Sequence, residues 1–110
     1  MLLKRVFIGV LFMFSSNLYA QGWTESLTVE SVFTEGKTDI IVINTSGGGT
    51  YTSSCLPNQW IFQSDTDARR SRAYSTAMAA LASGKKIRFW YTDSCENWSY
   101  HGATAIMLVK

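Results

Sequence analysis

From Ser26 to Thr34 apolar and polar residues alternate, with Leu27, Val29 and Phe33 on one parity and Thr28, Glu30 and Thr34 on the other. Successive side chains of a strand point to opposite faces, so this rhythm, in a run rich in β-branched residues, predicts a half-buried strand. Val32 breaks the alternation and marks a bulge. Glu35-Gly36-Lys37 supplies a turn, and Thr38 to Asn44 reads as the returning strand of a hairpin. There Ile40, Ile41, Val42 and Ile43 leave no polar face, which predicts burial on both sides. Ser46-Gly47-Gly48-Gly49 is a loop. With no Lys-Ser/Thr after it and no helix opening there, it lacks the parts of a phosphate cradle. Thr50 to Ser53 resumes a strand before a turn at Cys55-Leu56-Pro57-Asn58, and Gln59 to Gln63, with Trp60, Ile61 and Phe62, is the third strand of the series.

The rhythm then changes. Tyr74, Ala77, Met78 and Leu81 form an apolar stripe at helical spacing, predicting a helix over 66–83. Ser64 or Asp65 supplies its N-cap, Asp65 and Asp67 suit the positive end of its dipole, and Gly84 ends it. Arg69 and Arg70 lie within side-chain reach of those carboxylates. The opposite face, Arg69, Arg72, Thr76, Ala79 and Ser83, is small and lightly charged. It reads as an alanine-rich surface or as packing against another copy of the chain. Lys86 to Thr92 returns to period two, with Ile87, Phe89 and Tyr91 on one face and Arg88, Trp90 and Thr92 on the other. Asp93 to Gly102 reads as a polar, aromatic loop and Ala103 to Val109 as the last strand. The expected fold is mainly β with one helix in the order β-β-β-α-β-β. Five strands with a helix between the third and fourth is the connectivity of the OB-fold, a small Greek-key barrel that binds oligonucleotides or oligosaccharides.

Composition sets the scale. The chain has 110 residues, 46% of them hydrophobic, which fits one globular domain and excludes a disordered chain. Lys4 and Arg5 precede an apolar run, Val6 to Phe14, then Ser15, Ser16, Asn17 and Leu18-Tyr19-Ala20. This is the form of a secretory signal peptide over residues 1–20, leaving a single domain over 21–110 in a secreted or periplasmic protein. The run is too short for stable membrane insertion, which needs about 20 apolar residues.

The leader also changes the charge picture. Lys plus Arg number 10 against 8 for Asp plus Glu, and Lys4 and Arg5 account for the whole excess. The remainder is balanced, so nothing in the net charge points to nucleic acid. Charge is segregated, however: residues 21–68 hold six carboxylates against Lys37 alone, and 69–88 hold Arg69, Arg70, Arg72, Lys85, Lys86 and Arg88 with no anion.

Two cysteines, Cys55 and Cys95, in an exported chain predict one disulfide. His101 is the only histidine and no paired cysteine spacing exists, so the residues offer no metal site and no cofactor is expected. Asp93 and Glu96 are the one close carboxylate pair in this region, beside Cys95 in what reads as an ordinary loop. The chemistry favours binding over catalysis. Trp98 and Tyr100 offer aromatic faces to a sugar ring, while Asn97, Asp93 and His101 offer hydrogen bonds to its hydroxyls. The expected function is therefore a secreted, non-enzymatic module that binds a glycan or a partner protein. A monomeric enzyme inhibitor or envelope accessory protein using the same loop is the alternative.

The second half of the chain resembles the B subunits of pentameric bacterial enterotoxins. The likeness runs from Asp65 to Lys110: a long helix, then Gly84-Lys85-Lys86-Ile87-Arg88-Phe89-Trp90, an aromatic loop, and His101 leading into Ala103-Thr104-Ala105-Ile106-Met107. It implies a homo-oligomer assembled around the helix and a loop tryptophan stacked on a sugar, Trp90 or Trp98 here. Cys55 lies mid-chain, where that family's disulfide starts near the mature N-terminus.

Overall fold

The computed structural model describes residues 21–49, Tyr51 and 54–110. The predicted leader and most of the strand expected over Thr50 to Ser53 lie outside them. The elements are β1 (Gly22–Trp23), β2 (Leu27–Thr34), β3 (Ile41–Ser46), β4 (Leu56–Phe62), α1 (Asp67–Ser83), β5 (Lys86–Cys95) and β6 (Tyr100–Val109). Strands β2, β3, β4, β6 and β5 follow one another in the sheet, and β5 pairs back to β2 to close a five-stranded barrel. All neighbours are antiparallel except β4 and β6, which run parallel. With the helix between the third and fourth barrel strands, this is OB topology, as the element order predicts. The two-residue β1 is additional. It pairs with Trp90 and Tyr91 of β5, and Thr24 fastens it: its N–H donates to the Phe89 carbonyl at 2.8 Å and its Oγ1 accepts from the Phe89 N–H at 3.0 Å.

The predicted bulge in β2 exists but sits earlier. Val29 opposes Thr45 and Ser31 opposes Asn44, so Glu30 is the extra residue. The phase then flips. Val32 turns toward the core, and Phe33, expected beside Leu27 and Val29, is 44% exposed. Ile41, Val42 and Ile43 are all buried, as their apolar run predicts, but Ile40 precedes the strand and is only partly buried.

The helix is shifted in phase. Of the predicted stripe Ala77 is buried, as expected, but Tyr74, Met78 and Leu81 are exposed, and Ala73 and Ala80 are buried in their place. Ala77 and Ala80 join Leu27, Val29, Ile41, Ile43, Trp60, Ile87, Phe89 and Ala103 in one core, so α1 closes an end of the barrel through its smallest side chains. Methyl groups let the helix backbone come close to the strands, which the larger residues would hold away. The N-cap is Thr66 rather than Ser64 or Asp65: the Arg69 N–H donates to its hydroxyl at 3.2 Å. Ser64 instead braces the cap, accepting from the Thr66 N–H at 3.2 Å. Gly84 ends the helix as expected, at φ 72° with its N–H on the Ala80 carbonyl.

Trp60 fills the centre. It is fully buried, stacks on Phe89 and on His101 with ring centroids 4.6 Å away in each case, and donates its indole N–H to Thr45 Oγ1 at 3.1 Å.

Candidate functional site

Cys55 and Cys95 form the predicted disulfide, with Cα atoms 5.4 Å apart across 40 residues of sequence. The bond ties the start of β4 to the end of β5. It fits a protein of an oxidising compartment, extracellular or periplasmic. Among the described residues no helix is long and apolar enough to cross a membrane. The expected loop is also shorter than its composition suggests. Strand pairing carries β5 on to Cys95 and starts β6 at Tyr100, with Cys95 opposite His101, so the segment read as a loop over Asp93–Gly102 narrows to four residues, 96–99.

Those four residues make a tight, projecting tip. The Ser99 N–H turns back onto the Glu96 carbonyl at 3.1 Å, and the Glu96 N–H closes the hairpin on the Tyr100 carbonyl at 2.7 Å. Trp98 and Ser99 both take the left-handed backbone conformation, at φ 61° and 63°. For residues with a side chain that conformation costs about 1–2 kcal/mol each, so the surrounding structure must impose it. The result is a tryptophan 52% exposed at the tip, its ring 5.6 Å from that of Tyr100 and tilted 58° to it. Leu56, 46% exposed and paired with Tyr100 across the parallel ladder, adds an aliphatic flank next to the disulfide. Asn97 is exposed beside them.

The six candidate ligand residues therefore separate. Asn97, Trp98 and Tyr100 stand together at the tip. Asp93 is exposed on β5 itself, below the turn. His101 is not on a loop: it is the second residue of β6, fully buried and stacked on Trp60. The Tyr51 N–H donates to its Nε2 at 3.4 Å. Burial lowers its pKa below the usual histidine value, against a smaller upward effect of a backbone hydrogen bond at Leu56. It serves the core and takes no part in the tip. Trp90 faces outward on β5, as its parity with Arg88 and Thr92 predicts, but it meets Trp23 edge-to-face at 5.6 Å on the barrel wall. Leu56 is the tip residue that sequence reasoning missed. Its signal was its position next to a cysteine bonded to the aromatic segment.

A second hollow, of about 510 Å³, surrounds Arg70 between α1 and the β2–β3 connection. Arg70 is satisfied there: it donates to the Ser64 carbonyl at 2.6 Å, contacts Asp67 and lies 3.7 Å from Asp39. It pins the start of the helix to the barrel. Among the described residues no group of three His, Cys, Asp or Glu is placed to hold a metal ion.

The chain belongs to a protein family of unknown function, DUF5992, whose profile matches residues 3–109. No curated protein matches the chain. The family assigns no chemistry, so the functional reading rests on the tip.

Proposed function

We propose that this is an exported, non-enzymatic binding module that holds a glycan against Trp98 and Tyr100. The observation that carries the reading is the left-handed Trp98, an exposed aromatic side chain presented at a cost in backbone energy next to a disulfide. Strain stored at an exposed position marks function more readily than stability. A fixed ring loses little freedom on binding, which conserves affinity. Its indole face suits the C–H face of a sugar, and Asn97 with the Ser99 hydroxyl supplies polar partners on the same turn.

One observation favours a second reading. Leu56 is aliphatic and exposed beside the rings, which suits a partner protein better than a sugar. A glycan array probed with the mature protein and with Trp98→Ala separates the two. Tip-dependent binding to a defined glycan class supports the first reading. Glycan binding that survives Trp98→Ala rejects the site, and a silent array with a partner protein released by Trp98→Ala assigns the second. The native mass tests the toxin-like arrangement: a pentamer supports it, and a monomer supports an inhibitor or envelope accessory role.

A further inference from the structure

We propose that the open edge of β6 and the flank of α1 form a groove that takes an extended, acidic peptide segment of a partner protein as an added β-strand. Topology opens the edge. β6 pairs with β4 only from Tyr100 to Ala103, and the Gln63 N–H on the Ala103 carbonyl, at 2.7 Å, is the last rung described. β4 ends at Phe62 and the chain turns off toward α1. In β6, Thr104 stands as an extra residue between Ala103, opposite Tyr91, and Ala105, opposite Trp90. Such a bulge bends a strand away from its former neighbour. From Thr104 to Val109, β6 is paired with β5 on one side and, among the described residues, with no strand on the other.

An unpaired edge presents a row of N–H and C=O groups that another strand can join. Protein edges are commonly blunted by lysine or proline, and Ala105-Ile106-Met107-Leu108-Val109 contains neither, nor any charge. Directly beside the edge lies a hollow of about 520 Å³ between Thr104–Ile106 of β6 and Arg69, Arg72 and Thr76 of α1. A groove between a strand edge and a helix is the form in which extended peptides are captured: ladder bonds supply affinity and flanking side chains supply selectivity.

The side chains state the selectivity. Among the described residues Arg69 pairs with the exposed Asp65, which lines the same hollow, at 3.5 Å, an ion pair of little worth in water that an incoming carboxylate can displace. Arg72 is exposed and has no ion pair among the described residues. Phe62, Ala73 and Ile106 make the floor apolar. A strand alternating apolar and acidic residues meets all three features, because its side chains point in turn to the floor and to the arginines. Nucleic acid supplies the charge without the ladder groups.

The test uses the mature chain and a fluorescein-labelled hexapeptide of alternating Glu and Val, followed by fluorescence anisotropy. Saturable binding is expected, together with amide shifts along Thr104–Val109. N-methylating alternate peptide nitrogens of the probe, or substituting Arg69→Ala with Arg72→Ala, should each weaken it at least about tenfold, as the loss of ladder or charge-assisted hydrogen bonds requires. Both arginines are exposed helix positions where alanine is a good helix former, so the double variant keeps its fold. Trp98→Ala should leave the peptide affinity unchanged, so failure here and failure of the glycan reading are distinguishable. Absence of saturable binding, equal binding of the N-methylated probe, or equal competition by an oligothymidylate of matched charge would each overturn the proposal.

Discussion

Replacing both cysteines, Cys55→Ala with Cys95→Ala, should cost the domain at least about a third of its stability. The bond closes 40 residues of sequence separation, and constraining an unfolded loop of that size is worth about 4 kcal/mol at 25 °C in the chain-entropy account. Small domains are stable by roughly 0.05–0.15 kcal/mol per residue, or about 4–13 kcal/mol over residues 21–110. The loss is therefore between a third and the whole of the available stability. At roughly 4–8 °C per kcal/mol for a domain of this size, the midpoint should fall by about 15–30 °C. Cys55 is buried and its replacement by alanine removes only a sulfur, so lost packing is minor beside the entropy term. Urea unfolding of the oxidised protein and the double variant, followed by tryptophan fluorescence, measures the difference directly. The variant also frees the tip: a glycan bound through Trp98 should lose affinity even at temperatures where the barrel remains folded, because the ring must then be ordered on binding. A stability loss below about 1 kcal/mol would refute the reasoning, since the loop would already be closed by residual structure in the unfolded chain.

Three further outcomes follow from the geometry. His101 is held neutral in the core, so the unfolded chain takes up its proton first; stability is intact above about pH 6.5 and is lost as the pH falls through that value toward the depressed folded one. Denaturant midpoints across that range should fall for the native chain and flatten for His101→Leu. Gly102→Ala places a Cβ 2.7 Å from Thr92 Oγ1 and 3.2 Å from Glu96 Cγ, and unfolding should show a loss of about 1–3 kcal/mol. Ala80→Leu forces a larger side chain between α1 and the barrel and should cost about 1–3 kcal/mol, while Tyr74→Ala, on the exposed flank, should cost less; the reverse order by thermal melting would show that Tyr74, Met78 and Leu81, not the alanine face, seat the helix.

Element type and order were legible because they depend on local rhythm. The phase of each rhythm was not, because phase is a tertiary matter. In β2 the alternation reads smoothly through Glu30, yet Glu30 is the residue that bulges, and one inserted position sends Phe33 outward and Val32 inward. In α1 a periodicity count ranks Tyr74, Met78 and Leu81 above alanine, since it weighs hydrophobicity and ignores distance of approach. The barrel end needs closeness, and only Ala73, Ala77 and Ala80 provide it.

The same logic explains why the candidate site was half legible. Read as a loop, Asp93 to Gly102 has no parity, so Tyr100 and His101 look equally free to face a ligand. Once strand pairing reaches Cys95 opposite His101, adjacent residues of β6 must point opposite ways: His101 enters the core against Trp60, and Tyr100 is left with Trp98 outside. The β5–β6 register thus sorts the aromatic segment into structural and presented rings, and the disulfide ties the end of β5, beside the tip, to the start of β4. That dependence is physical, and it makes the tip and the barrel separable: a variant that breaks the bond should disorder Trp98 before it expels His101, so rising anisotropy decay at the tip should precede loss of the Trp60–His101 stack in any graded unfolding of the reduced protein.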